Sequence, residues 1–183
     1  MKALVIVAAM LAGSGALAAS APAPAPEVTA ERAPDVIYLP TPPQVVDAML
    51  EMAKVRKGDV LYDLGSGDGR IPIAAARKYG VRAVGVDIDP VRVKEARANA
   101  AAAGVTDKVT FRQEDLFKTE IAGASVVTLY LLSSLNEKLR PRLLAELKPG
   151  TRIVSHAFSM GESWPPEKTE VVEGKTIYYW TIK

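Results

Sequence analysis

The run Val60-Leu61-Tyr62-Asp63-Leu64-Gly65-Ser66-Gly67-Asp68-Gly69-Arg70 decides the fold. Val60 to Leu64 is a short apolar strand, three glycines then alternate with Ser66 and Asp68, and Ile71 to Tyr79 reads as a helix stopped by Gly80. Glycines at such a junction permit positive φ and let backbone N–H groups approach a ligand closely. The N-terminus of the helix that follows favours an anionic group.

Outward from this run the same alternation continues. Upstream, Pro42 and Pro43 open a helix in which Val45, Val46, Met49, Leu50 and Ala53 recur at helical spacing, closing at Lys57-Gly58. Downstream, Arg82 to Asp87 is a second strand, Pro90 opens an alanine-rich helix ending at Gly104, and Lys108 to Gln113 is a third strand. Ser125 to Leu132 is a fourth strand, apolar on both faces as a central parallel strand should be, and Ser133 to Leu147 is the helix after it. Thr151 to Ala157 is a fifth strand. A short strand near Val171 and a last one over Thr176 to Ile182 form a hairpin across Glu173-Gly174. Phe158 to Glu170 is too short and proline-rich for a full crossover helix. The pattern predicts an α/β, Rossmann-like fold, with a mostly parallel seven-stranded sheet and a C-terminal antiparallel hairpin.

Composition narrows the chemistry. The 183 residues include no cysteine and one histidine, which excludes disulfides, thiolate metal sites, cysteine nucleophiles and multi-histidine zinc sites; no metal site is expected. A formal net charge of +2 argues against a dedicated nucleic-acid binder.

Two cofactors compete for the glycine-rich turn. A dinucleotide turn expects G-x-G-x-x-G, but here the glycines fall as G-x-G-x-G and Arg70 takes the last expected place. Asp63 ahead of the turn would oppose a pyrophosphate and suits a cation. S-adenosylmethionine carries a sulfonium and an ammonium, so it fits better. Asp87, at the end of the second strand, is placed to accept both ribose hydroxyls, because Asp89 is the better cap for the helix opening at Pro90. Asp115, past the third strand, would accept the adenine amine or else be a solvated loop acid.

Asp63 to Gly69, Gly85-Val86-Asp87-Ile88-Asp89 and Gln113-Glu114-Asp115 resemble, in order, the cofactor motifs of class I S-adenosylmethionine-dependent methyltransferases. The resemblance implies cofactor contacts from Asp63, Gly65, Ser66, Gly67, Asp68, Gly69, Asp87, Ile88 and Asp115. Tyr38-Leu39-Pro40-Thr41-Pro42, followed by Asp63 to Ile71, is similar to the ATP synthase c-subunit lysine N-methyltransferase family and its bacterial relatives. That narrower likeness implies methyl transfer to a protein lysine. The alternatives are a small-molecule methyltransferase, a non-catalytic cofactor-binding module and an NAD-dependent oxidoreductase.

In an open α/β sheet the ligand crevice lies at the carboxyl ends of the strands, which puts Tyr130 and His156 at the mouth as catalytic candidates. Tyr130 would line an acceptor channel or simply hold its hydroxyl at the rim. His156 is the sole imidazole, suited to acid–base work or to a structural hydrogen bond. Leu129-Tyr130-Leu131-Leu132 stands where many amino-methylating relatives carry Asn/Asp-Pro-Pro-Tyr/Phe, which removes support for base or glutamine methylation. Tyr38, Thr41 and Gln44 are candidates for a lid; Trp164 and Trp180 read as packing residues.

The N-terminus is a separate object. Lys2, the apolar run Ala3 to Leu11 and Ala16-Leu17-Ala18 form an export signal over residues 1–18, cleaved before Ala19. An alternating Ala/Pro linker occupies 19–33, and the methyltransferase domain spans 34–183. The expected location is periplasmic; left uncleaved, the signal would anchor the chain in the inner membrane.

Overall fold

A computed structural model describes residues 38–183. The signal, the linker and the domain's start at residue 34 lie outside the described residues. Seven strands form one sheet in the order β3-β2-β1-β4-β5-β7-β6, with β1 (Val60–Leu64), β2 (Arg82–Asp87), β3 (Val109–Gln113), β4 (Val126–Leu129) and β5 (Arg152–His156) parallel. β7 (Lys175–Thr181) runs antiparallel to β5 and to the edge strand β6 (Lys168–Val172). Glu173 and Gly174 both have positive φ (51° and 71°), the conformation that a two-residue hairpin turn needs to match strand twist.

Among the described residues four helices cover the sheet: α1 (Pro43–Met52), α2 (Arg70–Tyr79), α3 (Pro90–Ala102) and α4 (Ser133–Glu146). Two apolar layers result. Val45, Met49 and Leu50 of α1 pack with Ala75 of α2 and Ala96 of α3 on one face. Leu139 and Leu143 of α4 pack with Leu129, Ile153 and Trp180 on the other. Trp180 is fully buried and its indole N–H donates to the Trp164 carbonyl at 2.9 Å, so both tryptophans are packing residues as expected.

Two boundaries differ from the sequence reading by three residues or more. α1 ends at Met52 rather than at Lys57-Gly58, because Lys54 turns left-handed (φ 48°) and Arg152 collects the carbonyls of Ala53 and Lys54, each at 3.0 Å. β4 ends at Leu129 rather than Leu132, so Tyr130 to Leu132 leave the sheet before α4 begins. That early exit frees the Tyr130 ring from a strand position.

The strand order reverses between β1 and β4: β2 lies beyond β1 and β5 beyond β4. In doubly wound sheets the ligand crevice opens at this switch point, outside the carboxyl ends of the strands.

Candidate active site

A cavity opens at that switch point. Its walls are the turn after β1, the segment from Asp87 to Asp89 after β2, Asp115 and Leu116 after β3, Tyr130 and Leu131 after β4, and Tyr38 to Thr41 ahead of α1.

The turn after β1 is held by its neighbour strand. The N–H groups of Gly65 and Ser66 both donate to the Val86 carbonyl, at 2.8 and 2.9 Å. The Gly67 N–H donates to Asp87 Oδ2 at 2.8 Å, and the Asp89 N–H to Asp87 Oδ1 at 3.0 Å. Asp87 is thereby oriented while each carboxylate oxygen keeps accepting capacity for a further donor. Burial raises its pKa despite these backbone bonds. Gly67 is a close-approach position: with φ 52°, an added Cβ would run into the Tyr38 ring. Gly69 caps α2 in the left-handed region (φ 80°), and a Cβ there would collide with Phe111. Asp89 does the capping job, accepting the Val91 N–H at 2.8 Å, and also lines the cavity.

Asp63 is deeply buried and accepts the Thr128 hydroxyl at 2.7 Å. Burial, with Asp87 and Asp68 nearby, pushes its carboxyl up to about 8. Before a cationic ligand arrives, Asp63 is therefore mostly neutral near pH 7. Asp68 goes the other way. Burial opposes its charge, but the Arg70 guanidinium, bound at 3.0 and 2.6 Å, and the Tyr38 hydroxyl hold its pKa low.

The same Arg70 ties down the segment over the cavity by donating to the Thr41 carbonyl at 2.8 Å. Arg92 lies over the Tyr38 ring, 4.8 Å from its centroid. Sequence reasoning noted Arg70 only as a departure from a dinucleotide turn and missed Arg92. The cue for Arg70 was its place beside Asp68; the Tyr38–Arg92 contact spans 54 positions and has no local signature.

On the acceptor side, Tyr130 lines the cavity and packs against His156, the ring centroids 3.8 Å apart and the planes tilted by 35°. Phe158 lies on Tyr130 at 6.2 Å. His156 is completely buried, shares a hydrogen bond with the Thr41 hydroxyl through Nδ1 at 3.1 Å, and leaves Nε2 without a partner. Burial and then Lys175 push its pKa down to about 4, so the imidazole is neutral at physiological pH. The loop carrying Phe158 is clamped by buried Asn136, whose amide donates to the carbonyls of Phe158 and Ser159 at 3.1 and 3.3 Å. Sequence reasoning missed both Phe158 and Asn136.

Of the sequence-derived cofactor residues, Asp63, Gly65, Ser66, Asp68, Asp87, Ile88 and Asp115 line the cavity, and Tyr130 faces it from the other side. Gly67 and Gly69 do not line it; they make room for the Tyr38 and Phe111 rings. Asp115 also receives the Phe117 N–H at 2.9 Å, so it organises its own turn while facing the cavity. Tyr38 and Thr41 cover the cavity, whereas Gln44 sits in α1 away from it.

S-adenosylmethionine fits this donor set. Its ribose hydroxyls suit Asp87, its two cationic groups suit a cavity lined by five carboxyls, and Ser66 Oγ is buried there without a partner. Fold and cavity together define an S-adenosylmethionine-dependent methyltransferase of the Rossmann-like class. The sequence profile of the ANTKMT methyltransferase domain matches residues 63–168, and the chain belongs to that family. A protein-lysine N-methyltransferase of Saccharolobus islandicus is 47% identical over 81% of this chain and 95% of its own. The mouse ATP synthase c-subunit lysine N-methyltransferase is 36% identical over 72% of this chain, which spans only 52% of that longer protein. A solved structure described as an RNA methyltransferase from Salinibacter ruber, in complex with S-adenosyl-L-homocysteine, is 61% identical with a TM-score of 0.77. It covers 79% of this chain and 94% of its own.

Proposed function

We propose that the methyl acceptor is the side-chain amine of a protein lysine. The observation that carries this reading is the division of charge across the cavity. Asp68, Asp87, Asp89, Asp115 and the mostly neutral Asp63 face it, against Arg70 and Arg92, and Arg70 is already paired with Asp68. Such a mouth attracts a cationic side chain and repels a phosphate backbone. The acids lie on the cofactor side, while the other side is built from the Tyr130, His156 and Phe158 rings, with the imidazole of His156 neutral at physiological pH.

S-adenosylmethionine supplies a methyl group already activated as a sulfonium. The remaining requirement falls on the acceptor, because a free lysine, with a pKa near 10.4, is almost fully protonated at pH 7. The Tyr130 ring gives the amine an apolar, uncharged wall that disfavours the ammonium form by desolvation. Rate then comes mainly from holding amine and methyl in line. With its pKa near 4, His156 is a weak base, and its bond to Thr41 suits it to hold the Tyr130 ring.

The second reading is RNA as acceptor, and it rests on the 61% identical Salinibacter ruber protein, which is described as an RNA methyltransferase. Radiolabelled methyl transfer to cell extract, followed by mass spectrometry of the labelled species, separates the two. Label on lysine side chains is the expected result; label confined to RNA or to small molecules overturns the lysine reading. We also infer from Lys2, the apolar run and the Ala16-Leu17-Ala18 site that the chain is exported, which N-terminal sequencing of the native protein checks.

A further inference from the structure

Large apolar side chains exposed among the described residues are few: Leu39, Val91, Leu132, Leu144 and Val171. Three of the five either line the cofactor cavity or lie next in the chain to residues that line it, and they come from three separate parts of the chain. Leu39, 62% exposed, is itself part of the cavity wall. Val91, 60% exposed, sits in the first turn of α3 between Asp89 and Arg92, both of which face the cavity. Leu132, 45% exposed, follows the wall residue Leu131.

Nothing in the fold asks for these side chains. Leu132 is the N-cap of α4 and makes no capping bond, at a position where Ser, Thr, Asp or Asn would stabilise the helix. Val91 is β-branched at a solvent-facing helical position, where straight-chain residues are favoured. Local stability is given up at both places, and in return an exposed apolar rim flanks residues of an acid-lined cavity wall. A partner complementary to that surface has a cation in the middle and apolar groups on either side.

We propose that this rim docks a segment of another protein in which the target lysine is flanked by large apolar side chains. The proposal rests on the lysine reading and adds what selects the lysine. The amine enters the cavity beside the Tyr130 ring, and Leu39, Val91 and Leu132 cover the flanking side chains. A flexible loop rich in polar residues would leave the rim exposed and gain only the central contact.

The test uses the full chain, radiolabelled S-adenosylmethionine and two synthetic peptides of equal length with a central lysine. One carries leucine and valine on both sides, the other serine. The apolar-flanked peptide should show a kcat/KM about tenfold higher, the ratio that ~1.4 kcal/mol of added contact gives. The double variant Leu132→Ser, Val91→Gln should erase that preference. Its activity on the serine-flanked peptide and its affinity for cofactor should stay unchanged, since neither residue lines the cavity and the new serine can cap α4. Equal activity on the two peptides overturns the proposal but leaves the lysine reading standing. A preference that survives in the double variant overturns the assignment to this rim. If neither peptide is labelled while RNA is, the lysine reading falls and the proposal with it. If either peptide is methylated only when phosphatidylcholine vesicles are added, the rim is a membrane contact and the proposal is wrong.

Discussion

The two halves of the cavity mouth are built by different means. On the cofactor half, at the ends of β2 and β3, the carboxylates are held by backbone groups close in sequence or one strand away. Asp87 accepts from Asp89 and Gly67, and Asp115 from Phe117. On the acceptor half, at the ends of β4 and β5, the contacts are between distant side chains. His156 bonds to Thr41 across 115 positions, and Asn136 reaches over to the loop after β5. The first half is polar and tied to backbone geometry; the second is aromatic and tied to tertiary packing. A small cofactor of fixed shape suits the first kind of construction. The second can change its rings without disturbing the turn that binds cofactor.

If the halves are separable, substitutions should divide cleanly between binding and turnover. The largest effect is expected for Asp87→Ala. The change deletes the carboxylate proposed to accept the ribose hydroxyls and leaves the Gly67 N–H without its partner. Losing hydrogen bonds to a charged acceptor costs roughly 1.5–3 kcal/mol, so cofactor affinity by calorimetry should fall about tenfold to a hundredfold. An unchanged dissociation constant would remove Asp87 from the cofactor site. Tyr130→Ala should act on the other axis: kcat falls about tenfold, the order expected from lost alignment, while cofactor affinity moves far less. Equal losses in both quantities would show that the two halves form one unit.

The same contrast explains what could be read in the sequence. The strand-turn-helix run from Val60, the ends of β2 and β3 and the Glu173-Gly174 hairpin were all legible, because each rests on local turn chemistry and apolar period. The seven-stranded sheet with its antiparallel end followed from them. Asp63, Asp87 and Asp115 were legible as strand-end carboxyls. Phe158 was not, since its place against Tyr130 depends on Asn136, twenty-two residues away, donating to its carbonyl. Neither was the neutral state of Asp63, which comes from burial, with Asp87 and Asp68 nearby, against the opposing Thr128 hydrogen bond. The end of α1 was missed for a similar reason: Arg152, on β5, decides it.

In the pH dependence of stability the two halves oppose each other. Asp63 has an ordinary pKa of 3.8 when unfolded and about 8 when folded, so between these values the native state holds a proton that the unfolded chain has lost. Its contribution is full below pH 3.8 and is lost as pH rises through 8. His156 goes from 6.5 unfolded to about 4 folded, so the native state lacks a proton that the unfolded chain holds. Its contribution is full above pH 6.5 and is lost as pH falls through 4. Each proton is worth at most about 1.4 kcal/mol per pH unit, and between pH 4 and 6.5 the two slopes have opposite signs. The cofactor-free protein should therefore show a shallow stability profile in that window and a decline from 6.5 to 8. Asp63→Asn should uncover the histidine slope, with stability rising relative to the parent from pH 4 to 8. His156→Asn should uncover the carboxyl slope, with stability falling relative to the parent as pH rises from 4 to 6.5. Asp87, also raised by burial, titrates in parent and variants alike and drops out of the difference. Urea unfolding at half-unit pH steps measures these differences. A variant profile parallel to the parent's would mean that the residue titrates alike in the folded and unfolded chains, and the assigned burial of its charge would be wrong.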